Sequence, residues 1–428
     1  MRGMEDTKIS TIKAREILDS KGRPMVEVDV WTKSGSMGRG ASPCGTSVGK
    51  YEAFILRDGG KRYGGLGVQR AVKNVTEIIF PALRGRNVRE QHIIDHVMIE
   101  LDGTQDKSHL GANAIYSTSI AVAQAAANSL GLPLYRYLKG GGAFSLPIPM
   151  FNVINGGPYS GTNVEFQEFL LVPTTAENYS RALRMGVEVF YQIRTTIEKR
   201  YGRKCLQFGH SAGYAAPVEE PAEILEILLE ATEAAGYGGM FKIGLDCAAS
   251  HFFDKKRGCY NFKGKQIIRD EMIQFLEDLT KSYPLFMIED PLDEDDFEGY
   301  AEITKQLKTW IAGDDLFVTN LERLEKGITL KAANAMIFKP NMVGTLSEAL
   351  DTATCAKEHG YFVIPSCRAG GGADDPIPDI AVAINAPLVK FGAPQTGERT
   401  SYQNRLLRIE EELGESARFS AFQIFKNN

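Results

Sequence analysis

Six short apolar runs in the second half of the chain each end in a charged residue. Phe241-Lys-Ile-Gly-Leu runs into Asp246, Pro284-Leu-Phe-Met-Ile into Glu289, and Trp310-Ile-Ala-Gly into Asp314. Ala335-Met-Ile-Phe leads to Lys339, Phe362-Val-Ile-Pro-Ser-Cys to Arg368, and Pro387-Leu-Val to Lys390. Three carboxylates brought together repel one another unless something neutralises them. With oxygen ligands only, the neutralising partner is a hard divalent cation such as Mg²⁺. Two lysines and an arginine on the same rim would face that ion across a small anionic substrate. A polar strand end by itself means little, because strands stop at water; the ordered set carries the argument.

The spacing says what must hold these residues. Glu289 and Asp314 are 25 residues apart, as are Asp314 and Lys339. That interval fits one strand, one helix and two loops, so the recurrence predicts a train of βα units. Runs that are apolar along their whole length suit parallel strands buried on both faces. Charged residues closing such strands converge at the mouth of a β/α barrel.

Ahead of the barrel the pattern changes. Val26, Val28 and Val30 alternate with Glu27 and Asp29, which predicts antiparallel strand structure within residues 8–32, with a turn at Ser20-Lys-Gly-Arg-Pro24. The Gly- and Ser-rich stretch from Gly38 to Gly49 reads as a mobile loop that lets backbone approach a ligand. Helical patterns fill residues 65–100, and Ala112 to Ala127 reads as a tightly packed helix. The break Lys139-Gly-Gly-Gly-Ala143 places a domain boundary there, giving an α+β unit over 1–140 and a barrel over 141–428. Residues 151–157 and 164–172 read as the first two strands of the second unit. Residues 182–201 and 222–235 read as helices, and the helix ending at Leu413 is stopped by Gly414. The expected fold class is α/β.

Composition excludes several functions. A net charge of -5, a pI near 5.8 and the lack of a basic tract argue against a nucleic-acid partner. No apolar stretch is long enough to span a bilayer and MRGMEDTKIS has no apolar signal region, so no membrane partner and a cytoplasmic location are expected. Six cysteines without CxxC spacing point to free thiols rather than a zinc site.

Longer strings carry a family resemblance. Leu56-Arg-Asp58, Leu101-Asp-Gly-Thr104, Leu110-Gly-Ala-Asn-Ala-Ile115, Asn155-Gly-Gly157, Ile288-Glu-Asp-Pro-Leu-Asp-Glu-Asp-Asp296 and Leu406-Leu-Arg-Ile-Glu-Glu-Glu-Leu-Gly414 stand in the order seen in enolase, the phosphopyruvate hydratase. The chain resembles that family over nearly its full length. The resemblance implies a capping domain followed by a β/α barrel, a homodimer or larger homo-oligomer, and a small anionic phosphorus-containing substrate. It also implies Mg²⁺ on Asp246, Glu289 and Asp314, with Lys339 as the base that removes a proton beside a carboxylate. By the same resemblance Lys390 meets the substrate carboxylate, Glu168, next to Gln167, stands near the leaving hydroxyl, and Arg368 grips the phosphate.

The other half of the implied site departs from the family. Enolases read Gly-Asp-Glu-Gly-Gly-Phe-Ala-Pro where this chain reads Gly209-His-Ser-Ala-Gly-Tyr-Ala-Ala-Pro217, so the glutamate that helps expel hydroxide is Ser211. The histidine of the Asn-Gly-Gly-Ser-His loop is Tyr159, and the Ser-His-Arg-Ser phosphate loop is Ser366-Cys-Arg-Ala369, with Cys367 and Ala369 replacing a histidine and a serine. The loop serine tied to a second Mg²⁺ is Cys44, and His251 replaces a glutamate and reads as structural. Serine cannot serve as an acid near neutral pH. The expectation is therefore a specialised paralogue with weak or absent 2-phosphoglycerate dehydration, in the manner of carboxyphosphonoenolpyruvate synthase of phosphonate biosynthesis. The competing readings are a true hydratase with His210 or Tyr159 as replacement acid, a non-catalytic oligomeric scaffold or binder, and an acid-sugar dehydratase or muconate-type enzyme.

Overall fold

The computed structural model describes residues 6–420 apart from Ser47, Tyr159, Lys204, Cys205 and His210. The alternation near the N-terminus becomes a three-stranded antiparallel sheet, β1 (Ile9–Leu18), β2 (Pro24–Thr32) and β3 (Met37–Ala41). Val26, Val28 and Val30 are buried in one core with residues of the helices Gln91–Asp102 and Ala112–Ser129. The second of these helices lies very close to β3. A Cβ on Gly38 would fall 2.1 Å from the Ala121 carbonyl oxygen, and one on Gly40 would fall 2.4 Å from that of Ser117. Gly38 and Gly40 thus belong to a strand pressed against a small-residue helix, and the loop begins only after Ala41. Tyr116, Ile120, Ala123 and Ala127 of that helix also join the barrel's core, which is why it is apolar almost all round. The helical pattern over 65–100 resolves into Gln69–Leu83 and Gln91–Asp102, interrupted at Gly85, whose φ is +82°.

Eight strands form the barrel: β4 (Ile148–Asn155), β5 (Glu168–Pro173), β6 (Phe241–Asp246), β7 (Leu285–Glu289), β8 (Trp310–Gly313), β9 (Ala335–Phe338), β10 (Phe362–Pro365) and β11 (Leu388–Lys390). Each pairs with the next in that order up to β10. The ring closes through β11, which pairs with β4 and meets β10 by a bridge between Ser366 and Lys390. Ile148, Met150, Leu170, Val172, Met287, Ile337, Ile364 and Leu388 fill the interior.

Two features differ from a simple βα train. β5 runs antiparallel to both of its neighbours. The connection between β4 and β5 contains no helix, and a parallel return would need a crossover of a dozen or more residues, usually helical. A small antiparallel sheet, Phe253–Asp254, Cys259–Phe262 and Lys265–Ile267, is inserted after β6, before the helix Arg269–Ser282. At the far end the helix is longer than its sequence signature, spanning Gly397–Leu413. The described cysteines Cys44, Cys247, Cys259, Cys355 and Cys367 are free thiols. Among the described residues no helix is long and apolar enough to cross a membrane.

Candidate active site

Strand register alone brings the charged residues together. Glu168 is opposite Asp246, and Asp246 is opposite Glu289. Glu289 is opposite Ala312, two residues before Asp314. Phe338 and Pro365 pair one step before Lys339 and Ser366, and Ser366 bridges to Lys390. The residues at the strand ends therefore make one ring. Lys390 sits deep in it, with Nζ 2.6 Å from Glu289 Oε2, 2.8 Å from Asp246 Oδ2 and 3.0 Å from Glu168 Oε2. Across the ring Lys339 Nζ donates to Asp314 Oδ2.

Burial opposes the charge on both lysines, yet each is held above its ordinary range: Lys339 chiefly by Asp314, and Lys390 by Asp246, Glu168 and Glu289. Burial likewise pushes the Glu289 carboxyl well up and raises Asp246; repulsion from Asp246 and Asp314 adds to the first shift, and repulsion from Glu168 and Asp314 to the second. Such a cluster is under-neutralised. Glu289 Oε1 and Asp314 Oδ1 are buried acceptors without a hydrogen-bond partner. Acceptor-only oxygens left over in a buried acidic cluster are the donor set a hard divalent ion requires, so the residues fit Mg²⁺.

By distance alone Glu289, Asp290 and Asp314 group most tightly, with ligand atoms all within 4.8 Å of one another. Asp290 is nonetheless committed elsewhere. Its Oδ1 accepts from Tyr300 Oη at 2.9 Å and the Asp314 N–H at 3.0 Å, and its Oδ2 accepts from the Asp315 N–H at 2.9 Å. With a φ of +42°, Asp290 turns back to fix the backbone that carries Asp314. Burial and its acidic neighbours raise its pKa to about 7. Asp246 thus remains the third ligand candidate.

Gln167, Glu168, Ser211, Asp246, Asp314, Lys339, Cys367, Arg368, Ala369 and Lys390 line a single cavity that opens to solvent. Glu289 lies beneath it, fully buried. The Gln167 amide donates to Asp246 Oδ2 at 3.3 Å. Ser211 is buried, and its carbonyl accepts from the Ala393 N–H at 3.4 Å. Arg368 is clamped by Glu52, with Nη1 2.6 Å from Oε2 and Nη2 3.1 Å from Oε1. The Ala369 carbonyl accepts from Arg23 Nη2 at 3.1 Å and Thr46 Oγ1 at 3.2 Å, tying this edge to the N-terminal region.

Burial pushes the Cys367 thiol up despite Arg399 Nη1 at 3.3 Å from its sulfur, which disfavours a thiolate nucleophile. Cys44 is a correction. It does not line the cavity; its Sγ points to the Pro24 and Ser42 carbonyls at 3.8 Å, and burial raises its thiol too. His251 lines the cavity, although its sequence context suggested a structural place; burial lowers its pKa. Tyr159 and His210, the candidate replacement acids, lie outside the described residues.

Sequence reasoning missed Glu52, Asp290, Asp315 and Arg399. Arg399, buried in the cavity wall, follows Gly397-Glu398 at the start of a helix and donates to the Phe391 carbonyl at 3.1 Å. None of the four closes an apolar strand, so the signal that found the ring was silent on them. The doubled aspartate at Asp314-Asp315 was the one hint available.

The family profile described as "Enolase, C-terminal TIM barrel domain" matches residues 143–428, and "Enolase, N-terminal domain" matches 9–138. A protein named Enolase from Methanopyrus kandleri is 50% identical over 416 residues, covering 96% of this chain and 97% of its own. Proteins of the same name from Pyrococcus furiosus and Methanocaldococcus jannaschii are 50% and 48% identical over 410 residues; the alignment covers 95% of both chains in the first case and 96% of both in the second. These relatives overturn the expectation of a specialised paralogue making a phosphorus-modified enolpyruvate: half-identity across both units favours the ordinary enolase reaction, and the replaced motif residues do not outweigh it. The reading of an acid-sugar or muconate-type enzyme gives way to the same matches. With both units matched and the ring of carboxylates and lysines assembled, the chain belongs to the enolase family, whose members are Mg²⁺-dependent lyases.

Proposed function

We propose that this protein dehydrates 2-phosphoglycerate to phosphoenolpyruvate. The observation that carries the reading is the convergence, in one cavity, of an under-neutralised carboxylate cluster, two lysines and a buried arginine. Asp246, Glu289 and Asp314 would hold Mg²⁺, which when bound neutralises the cluster and stabilises the enolate charge of the substrate carboxylate. Lys339 Nζ borders the cluster at Asp314, and we assign it the C2 proton; with the Asp314 charge that keeps Nζ protonated offset by Mg²⁺, Nζ would be freed as the base. Lys390 supplies a fixed positive charge for the substrate carboxylate, its own position set by contacts at 2.6, 2.8 and 3.0 Å.

Glu168 faces the same cavity as Ser211, so we assign it the proton for the departing hydroxide, with Gln167 and Ser211 as polar neighbours. Arg368 grips the phosphate as a planar fork, a task a guanidinium does better than an ammonium. Arg399 adds a second guanidinium in the same wall, beside the positions where Cys367 and Ala369 replace the family's histidine and serine. Those replacements therefore leave the phosphate end cationic. A division near residue 140, assembly as a homodimer or larger homo-oligomer, and a cytoplasmic location belong to the same proposal. The test is direct. Absorbance of phosphoenolpyruvate should rise when purified protein, Mg²⁺ and 2-phosphoglycerate are mixed, and a folded protein that forms none would sink the reading.

A further inference from the structure

The arginine at the phosphate end is held from outside the barrel that carries it. Its carboxylate partner, Glu52, comes from the N-terminal unit, and the two side chains are only 4% and 2% exposed. Glu52 is itself fixed: the Gly49 N–H donates to its Oε1 at 2.8 Å. The segment Gly49–Phe54 that carries it is pinned across the barrel mouth at several points. Tyr51 Oη donates to Asp295 Oδ1 at 2.6 Å, Lys50 Nζ lies 3.3 Å from Asp295 Oδ2, and the Ala53 N–H donates to the Met342 carbonyl at 2.7 Å. The Arg323 guanidinium packs 3.8 Å over the Tyr51 ring. Backbone closes in on the guanidinium as well, since a Cβ on Gly45 would fall 2.1 Å from Arg368 Nη2.

A buried ion pair is a weak device for stability, because desolvation offsets most of its attraction, but it is a strong device for fixing an orientation. We infer that Glu52 is a positioning residue for phosphate recognition, holding the Arg368 guanidinium in its working plane as long as Gly49–Phe54 is docked on the barrel. The inference rests on the reading of Arg368 as the phosphate grip. It makes the N-terminal unit part of the substrate site through a side chain that itself touches no substrate. It also ties the docking of that unit to affinity: undocking the segment releases the arginine.

The experiment is a double-mutant cycle on the full chain. KM and kcat for 2-phosphoglycerate are measured for wild type, Glu52→Gln, Arg368→Lys and the pair. Glu52→Gln keeps the shape but breaks one arm of the fork. KM should rise about tenfold, the loss expected for a hydrogen bond to a charged group, with kcat within about threefold. In the Arg368→Lys background the same change should add no more than about twofold, because Glu52 acts through that arginine. An unchanged KM in Glu52→Gln, or effects that simply multiply in the pair, would overturn the inference. If Arg368→Lys alone leaves KM unchanged, the phosphate role of Arg368 falls first and the inference with it.

Should Glu52→Gln fail to fold, the exposed Tyr51→Phe decides; it loses the hydroxyl that donates to Asp295 Oδ1 and accepts from Lys50 Nζ. It should raise KM about twofold to threefold at unchanged Tm, as the loss of two exposed, weak hydrogen bonds predicts. No change in KM there would contradict the docking requirement.

Discussion

The two sides of the cavity are built by different means. On the carboxylate side, Glu168, Asp246, Glu289, Asp314, Lys339 and Lys390 stand at or just beyond the ends of strands, and hydrogen-bonded register fixes their spacing. On the phosphate side, Cys367, Arg368, Ala369 and Arg399 sit in loops or at a helix start, and a residue from the other unit holds the arginine. The first side is organised by a closed barrel, which cannot move one strand end without moving its neighbours. The second is organised by side-chain contacts, which substitution can rewire. The chain keeps every charged residue of the barrel-built side and departs from its family's motifs on the loop-built side. Chemistry tied to register tolerates little change; recognition made by loops admits several solutions.

The largest expected effect breaks the carboxylate side. Chelating divalent metal should reduce activity to background, and Mg²⁺ should restore it, since Glu289 Oε1 and Asp314 Oδ1 are buried without a hydrogen-bond partner among the described residues. Lys339→Ala should lower kcat by about 10²–10⁴-fold with a smaller change in KM, as steady-state kinetics would record for a lost general base.

The phosphate side should answer differently. Arg399→Lys, which loses the planar fork but keeps the charge, should raise KM by about threefold to tenfold and leave kcat nearly unchanged. A kcat loss as large as that of Lys339→Ala would erase the distinction between the two sides. The smallest effect belongs to Cys44→Ser. Because Cys44 faces the Pro24 and Ser42 carbonyls rather than the cavity, kcat/KM should stay within about twofold, and thermal melting should show at most the loss of about 1 kcal/mol expected of a small buried change.

The same contrast explains what could be read in the chain beforehand. Glu289, Asp314 and Lys339 were legible because apolar runs and a 25-residue interval mark strand ends whatever the loops do. The reversal of β5 was not, since Val164–Val172 looks alike in either direction and only the helix-free connection sets its sense. Gly38 and Gly40 misled for a related reason. Glycines suit both a mobile loop and a strand under a close-packed helix, and only the helix Ala112–Ser129 decides between them.

Glu52 was hidden because its partner stands 316 residues away. Ser211, Cys367 and Ala369 gave the most costly misreading. Their types record what each position has lost, whereas Arg399 in the same wall and Glu52 behind Arg368 record how the site keeps its charge. Side-chain chemistry at one motif position does not reveal which neighbour in space carries the task.

The central claim is that the barrel-built side abstracts the C2 proton of 2-phosphoglycerate. It is tested most directly by proton NMR in D₂O with Mg²⁺, following the C2 hydrogen in the presence of wild type and of Lys339→Ala. The account predicts that wild type removes that signal, by exchange or by conversion to phosphoenolpyruvate, while Lys339→Ala leaves it intact over the same period. A C2 proton untouched by folded wild-type protein, or lost equally fast with Lys339→Ala, would contradict it.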